Sequence, residues 1–211
     1  MRTLCIAKLC SVLLFFPSLV IAQNSHRDWW NKPFLEDKID FKKGPSPLLV
    51  HALEGRKPGE ALDLGMGEGR NAIFLAQQGW RVTGVDYSDV AVNLARARAA
   101  KLGLSLQTVV KDLDAYDFGR ERWDLIVLFY MHAWFHTSPT GPPLRVLRAL
   151  RPGGLLVMEG YAGGKDEFQT NELPRLFDKL RIIYYQDVTD EAEWDPGRRS
   201  RIVRFIGEKT S

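Results

Sequence analysis

Ala61-Leu62-Asp63-Leu64-Gly65-Met66-Gly67-Glu68-Gly69-Arg70-Asn71 decides how this chain is read. An apolar strand interrupted by one aspartate runs into three glycines at alternate positions, and a helical pattern opens at Arg70. Glycine suits such a bend because the backbone must turn tightly and approach a ligand with no Cβ in the way. Alone, the loop also allows a strand-to-helix turn that binds nothing. Asp86 adds to it: this carboxylate ends the next apolar strand, Arg81 to Val85, 21 positions beyond Gly65. An acidic residue about 20 positions on is where a ribose hydroxyl pair is held, since a carboxylate accepts two hydrogen bonds at once. The plainer alternative for Asp86 is a solvated helix cap.

Glycine phase separates two cofactor classes. Dinucleotide loops use Gly-x-Gly-x-x-Gly, which puts the third glycine where Arg70 stands; here it falls at Gly69. A nicotinamide-dependent oxidoreductase is therefore the disfavoured alternative.

Outward from this bend, strands and helices alternate, which predicts a mostly parallel sheet built from βα units. The strands are expected at Ala61 to Leu64, Arg81 to Val85, Leu106 to Val110, Trp123 to Phe129 and Leu155 to Gly160. Helices are expected at Leu48 to Glu54, Arg70 to Gln78, Val90 to Leu102 and Pro143 to Leu150, with Ser88 and Asp89 capping the third and Pro142-Pro143 opening the last. Two β-branched or aromatic runs, Arg181 to Val188 and Arg201 to Gly207, flank a polar turn containing Asp195-Pro196-Gly197 and read as a terminal antiparallel hairpin.

Asp63-x-Gly65-x-Gly67-x-Gly69 followed by Asp86 resembles motifs I and II of the class I S-adenosylmethionine-dependent methyltransferases. The likeness continues through Asp112-Leu113, Trp123-Asp124-Leu125-Ile126-Val127 and Leu150-Arg151-Pro152-Gly153-Gly154, so that it spans about half the chain, Asp63 to Glu159. The Gly69-Arg70-Asn71 step further resembles tellurite-resistance and thiopurine-type small-molecule methyltransferases. The resemblance implies a Rossmann-like, doubly wound α/β fold: seven strands in the order 3-2-1-4-5-7-6, mostly parallel with a C-terminal antiparallel hairpin. It implies S-adenosyl-L-methionine as cofactor. Asp63 and the backbone of Gly65, Met66, Gly67 and Gly69, with Asn71 close by, are expected at the methionine end. Asp86 is expected at the ribose with Tyr87 beside it, Asp112 and the Leu113 backbone at the adenine edge, and Phe129 against the cofactor. Met66 stands where the family more often has cysteine, alanine or serine.

A sulfonium methyl leaves by in-line displacement, so alignment of the nucleophile does most of the catalysis and a general base is optional. If there is one, the residues after the fourth and fifth strands supply it: Tyr130, His132, His136, Glu159 or Tyr161, with His132, His136 and Tyr161 the leading catalytic candidates. The plain reading of each histidine is a loop residue that hydrogen-bonds locally. No metal is implied, because the four histidines show no ligand spacing.

The remaining features concern compartment and partners. Arg2 and Lys8 precede an apolar run, Leu9 to Ala22, that exits through Val20-Ile21-Ala22, the shape of a secretory signal peptide. Residues 1–22 are read as a leader, 23–47 as a loosely helical N-terminal arm and 48–211 as one globular domain. An exported protein is expected, with no stable membrane span once the leader is removed; the alternatives are an uncleaved tether or a cytoplasmic protein whose start lies further on. Both cysteines, Cys5 and Cys10, lie in the leader, so the rest of the chain has no thiolate nucleophile. This excludes the thiolate route to cytosine carbon-5 methylation in this fold. Nor does Phe129-Tyr130-Met131-His132 match the Asn/Asp-Pro-Pro-Tyr motif of amino-group DNA methylation. Beyond residue 22, 27 basic and 26 acidic residues nearly cancel, which is no footprint for nucleic acid. The cluster Arg198, Arg199, Arg201 and Arg204 has acidic neighbours Asp187, Asp190, Glu191 and Glu193 and reads as a solvated hairpin. A small-molecule acceptor is the expected partner; a non-catalytic relative that keeps only the adenosyl pocket is the alternative. Trp29 and Trp30 either form a lid over the pocket, as such arms do in related folds, or pack the arm onto the sheet edge.

Overall fold

The computed structural model describes residues 27–36, 44–192 and 195–210; the expected leader lies outside the described residues, as do parts of the arm and Glu193. After a helical segment, α1, at residues 27–35, the elements are α2 (Pro47–Ala52), β1 (Glu60–Leu64), α3 (Arg70–Gln77), β2 (Arg81–Asp86), α4 (Asp89–Lys101), β3 (Gln107–Val110) and β4 (Trp123–Phe129). They continue with α5 (His132–Thr137), α6 (Pro142–Ala149), β5 (Leu150–Tyr161), α7 (Glu172–Leu176), β6 (Leu180–Ala192) and β7 (Asp195–Lys209). The sheet order is β3-β2-β1-β4-β5-β7-β6, parallel from β3 to β5 and antiparallel where β7 meets β5 and β6. This is the strand order and sense of pairing that the resemblance implied.

Side chains alternate across the strands, so residue parity assigns each position to a face. Leu62, Leu64, Ile126, Leu128, Leu156, Met158, Val203 and Phe205 face α5, α6 and α7, where they bury against Phe135, Val146, Leu173 and Phe177. Ala61, Val82, Leu125, Val127, Leu155, Val157 and Ile206 face α2, α3 and α4 and bury against Leu49, Leu75, Val92 and Ala95. Both faces are covered, which is why the central strands read as continuous apolar runs. Asp63 shares the parity of Ala61, so the fold forces its carboxylate under α3.

Two expectations are corrected. The hairpin runs further than its apolar runs: β6 and β7 stay paired out to Ala192 and Asp195, so Asp195 belongs to the ladder rather than to the turn. Polar side chains line that extension because it projects beyond the core and satisfies its charges locally. Likewise β5 starts at Leu150, and the Arg151-Pro152-Gly153-Gly154 stretch is absorbed as a register shift against β4 between Trp123 and Leu125. Short α5 and α7 had no sequence signal; each is a few residues long and is held by tertiary contacts.

The arm is fixed by polar contacts. Asn31 donates to the Asp89 carboxylate at 3.0 Å and accepts from the Ser88 hydroxyl at 2.6 Å. Arg27 lies 4.9 Å above the Tyr87 ring. Trp29 and Trp30 form an edge-to-face pair at 4.6 Å and are 63% and 41% exposed. Among the described residues no helix is long and apolar enough to cross a membrane.

Candidate active site

The glycine bend and the tip of β2 converge. Gly65, Gly67 and Gly69 all take left-handed backbone conformations, with φ of 74°, 55° and 78°. The conformation matters most at Gly65, where a Cβ would also collide with the side chain of Met131. Gly65 and Met66 donate to the Val85 carbonyl at 2.9 and 3.2 Å, which ties the bend to β2. Asp86 turns into the bend: one carboxylate oxygen accepts from the Gly67 N–H at 2.8 Å and the other from the Ser88 N–H at 2.8 Å. Ser88 is in turn the N-cap of α4, its hydroxyl accepting from the Ala91 N–H at 3.0 Å. Thus Asp86 is not a cap; its neighbour is.

Asp63 is buried directly beneath. Its Oδ2 has no hydrogen-bond partner among the described residues. Burial, reinforced by the Asp86 charge, pushes its carboxyl up to about 7, against the opposing pull of Arg70 and the Ala72 N–H. Burial also pushes Asp86 upward, opposed by the N–H groups of Ser88 and Gly67. A buried carboxyl that feels the charge of a second carboxylate and keeps an oxygen unsatisfied among the described residues forms a site that favours a cation. A further clamp is Arg98, whose guanidinium sits 2.5 Å from the buried Glu68 carboxylate and holds the bend to α4.

Other expected cofactor residues are placed as follows. Met66 is buried, its sulfur lying where a Cβ on Gly84 would otherwise stand. Asn71 accepts from the Ser46 N–H at 3.0 Å and so anchors the segment entering α2. Tyr87 is half-buried under Arg27. Asp112 is exposed just past β3 and accepts from the Asp114 N–H at 2.9 Å. The side chain of Leu113 is buried in the core, while its carbonyl accepts from Arg145 at 2.8 Å. Phe129 is half-buried on the α2–α4 face. Leu64 pairs with Leu128, so Phe129 and Tyr130 emerge level with Gly65 and Met66 on the adjacent strand.

The catalytic candidates divide. His136 has both ring nitrogens engaged, with His132 O at 2.8 Å and the Glu172 carboxylate at 2.9 Å, and so bridges α5 to α7. His132 Nδ1 is buried against Gly160 with no hydrogen-bond partner among the described residues, and burial holds its imidazole below the ordinary histidine range. No group orients that nitrogen as a histidine base requires. Tyr161 packs edge-on to His132 at 5.5 Å and to Tyr130 at 5.3 Å, and burial pushes its phenol up. Beside them Tyr130, at φ 58°, donates its hydroxyl proton to the buried Glu159 carboxylate, whose other oxygen accepts from Arg204 Nε at 2.9 Å. Sequence reasoning missed Arg204, Met131 and Asn31 as site residues. Gly84 was a legible clue, because glycine inside a strand marks a close approach.

The arginine cluster of the hairpin is internally paired. Arg201 binds both oxygens of Asp187, at 2.6 and 2.5 Å, and Arg204 also reaches Asp190 at 2.9 Å.

Comparison with known proteins places these features. Residues 61–154 match a methyltransferase domain family. A 2-heptyl-1-hydroxyquinolin-4(1H)-one methyltransferase of Mycobacteroides abscessus is 31% identical over 115 residues, 52% of this chain and 49% of that protein. The probable S-adenosyl-L-methionine-dependent methyltransferase TehB of Haemophilus influenzae is 32% identical over 79 residues, 37% of this chain and 27% of its own length. The crystal structure of TehB from Haemophilus influenzae superposes with a TM-score of 0.69 at 20% identity, covering 77% of this chain and 61% of that one. The 1,6-didemethyltoxoflavin-N1-methyltransferase of Burkholderia thailandensis, solved with bound 1,6-didemethyltoxoflavin and S-adenosylhomocysteine, superposes at 0.70 with 20% identity, covering 96% and 94% of the two chains. The chain spans half or less of the length of these two curated relatives. Sheet order, glycine bend and family match agree: residues 61–154 belong to a methyltransferase domain family, set in the seven-stranded α/β fold of these solved structures.

Proposed function

We propose that this protein transfers the sulfonium methyl group of S-adenosyl-L-methionine to a small-molecule acceptor by in-line displacement. The observation that carries the reading is the Asp86 carboxylate turned into the glycine bend, together with a buried Asp63 oxygen that has no hydrogen-bond partner among the described residues. A buried carboxylate oxygen without a donor suits a ligand ammonium group, and glycines at the bend leave room for a backbone approach. In this reading Asp63 and the Gly65, Gly67 and Gly69 backbone hold the methionine end. Asp86 receives the ribose hydroxyls with Tyr87 alongside, Asp112 and the Leu113 backbone meet the adenine edge, and Phe129 flanks the ring. The bound cofactor supplies an electrophilic methyl carbon; the protein supplies orientation and excludes competing nucleophiles. Relatives whose names specify heteroaromatic substrates, a hydroxyquinolone and a didemethyltoxoflavin, support a small acceptor.

Titration calorimetry of the full chain with S-adenosylmethionine and S-adenosylhomocysteine tests this. Saturable binding is expected, and Asp86→Ala weakens it by about one to three kcal/mol, the loss of charge-assisted hydrogen bonds. No heat with either ligand overturns the reading. Binding without transfer to any member of a broad acceptor panel assigns the protein instead to the non-catalytic alternative.

A further inference from the structure

Tyr130, Glu159 and Arg204 come from three different strand regions and form one hydrogen-bonded chain at the carboxyl end of the sheet. Tyr130 follows β4, Glu159 lies opposite Phe129 on β5, and Arg204 lies opposite Glu159 on β7. The Tyr130 N–H donates to the Glu159 carbonyl at 2.7 Å, and the Tyr130 hydroxyl donates to the Glu159 carboxylate. That double tie holds Tyr130 in a left-handed conformation that a bulky residue rarely adopts. Arg204 donates to the second Glu159 oxygen at 2.9 Å and to Asp190 at 2.9 Å. A carboxylate paired with a guanidinium has no proton to offer, so it can only accept. A tyrosine hydroxyl has one proton. With that proton directed at Glu159, the Tyr130 oxygen meets any other polar group as an acceptor.

Position gives this polarity a use. Tyr130 emerges one residue beyond the level of Gly65, on the strand beside β1, and the next side chain, Met131, lies against Gly65. Adjacent strands are about 4.8 Å apart, so the backbone of Tyr130 stands one strand from the bend proposed to hold the methyl donor, while its phenol reaches toward Glu159 on the other neighbour of β4, β5. Its ring packs edge-on to Tyr161, which adjoins His132; these half-buried rings offer flat surface, and the fully buried Phe168 backs them.

We propose that Tyr130, with its proton held by Glu159 and Arg204, is the acceptor-selecting catalytic residue. It receives a hydrogen bond from the O–H or N–H of a flat aromatic acceptor. This rests on the methyl-transfer reading and specifies its acceptor. In the step, a lone pair on the acceptor atom forms a bond to the methyl carbon as the carbon–sulfur bond breaks, and that electron pair stays on sulfur. The acceptor proton, made strongly acidic once its atom carries the methyl group, passes to the Tyr130 oxygen while the Tyr130 proton moves to Glu159. Once the product leaves, Glu159 returns its proton to the Tyr130 oxygen as the half-buried Tyr130 releases the acquired proton to water. Because the departing proton is so acidic, a carboxylate paired with arginine is base enough. Glu159 and Arg204 act through Tyr130 and are positioning residues.

Two probes of the same outline test the inference: 6-hydroxyquinoline, which presents an O–H, and quinoline, which presents only a lone pair. Their affinities for the protein saturated with S-adenosylhomocysteine are measured by calorimetry, and their methylation by product analysis. The wild-type chain is expected to bind and methylate 6-hydroxyquinoline in preference to quinoline. Tyr130→Phe is expected to cut affinity for 6-hydroxyquinoline by roughly 10- to 100-fold, leave quinoline affinity unchanged, and leave S-adenosylhomocysteine affinity unchanged. Glu159→Gln, which lets the Tyr130 proton turn, should shrink the preference in the same direction; if that variant does not fold, Tyr130→Phe decides alone. A merely structural role lowers both probes together and overturns the inference. So does an unchanged preference, or a cofactor-saturated wild-type protein that neither prefers nor methylates 6-hydroxyquinoline. Failure to bind S-adenosylhomocysteine at all counts against the methyl-transfer reading instead.

Discussion

Replacing Asp63 with asparagine should remove a pH-dependent weakness from the unliganded protein. Burial and the Asp86 charge raise the Asp63 carboxyl from 3.8 to about 7. Below about pH 4 the group is protonated in both folded and unfolded chains and leaves stability unaffected. As pH rises past 3.8 the unfolded chain releases the proton while the folded chain keeps it, so stability falls. The slope is about 1.4 kcal/mol per pH unit. Loss ends near pH 7, where the folded carboxyl itself ionises, at an upper limit of about 4 kcal/mol. Asparagine has the shape of aspartate and no charge, so the stability difference between wild type and Asp63→Asn should shift in favour of the variant by roughly 2 kcal/mol between pH 5 and 7, and change little above pH 8.

Urea denaturation of both proteins at four pH values between 5 and 8 measures that difference, in which every titration cancels except that of Asp86, whose charge is coupled to Asp63. A difference that stays flat from pH 5 to 7 refutes the argument. The same carboxyl links cofactor binding to pH. A ligand ammonium group beside Asp63 favours its charged form, so binding at pH 6 to 7 should release a proton, visible as a buffer-dependent heat that Asp63→Asn abolishes. Affinity of the wild type should accordingly rise with pH across this window.

Two further changes probe the architecture around the bend. Gly84→Ala drives a methyl group into the Met66 sulfur and should cost about 1 to 3 kcal/mol in a urea melt; Met66→Ala in the same chain should recover most of it, and purely additive losses would contradict the close approach. Asn31→Ala removes both polar links between the arm and the start of α4, so limited proteolysis should cleave the arm faster while the domain's denaturation midpoint moves little. An unchanged cleavage rate would show that other contacts hold the arm.

Much of the fold was legible because the central strands are buried on both faces. Trp123 to Phe129 can only be a strand of a covered sheet, and its bounds agree with β4 residue for residue. The glycine bend and Asp86 were legible for a related reason: their chemistry is fixed by a short spacing within a single β-loop-α-β unit. Features set by non-local pairing were not. The far end of the hairpin pairs as polar strand where its sequence, rich in charge and carrying Asp195-Pro196-Gly197, reads as turn. Helices α5 and α7 depend on partners distant in the chain. Trp134 of α5 donates to Asp114 at 2.8 Å, and Glu172 of α7 meets His136.

The same distinction explains why the histidines led the candidate bases and Tyr130, named among them, did not. A histidine advertises its proton affinity wherever it stands, so His132 and His136 stood out from residue type alone. Yet His136 is consumed in joining two helices, and among the described residues the buried nitrogen of His132 has no partner that would make it a directed base. Tyr130 has an ordinary phenol whose polarity depends on Glu159, 29 residues on, and on Arg204, 45 residues beyond that. Nothing near position 130 announces either one. Only the antiparallel seating of β7 against β5 brings the guanidinium to the carboxylate, and only that charge fixes which way the phenol proton points. The late hairpin therefore does more than close the sheet edge: it sets the hydrogen-bonding sense of a residue one strand from the glycine bend.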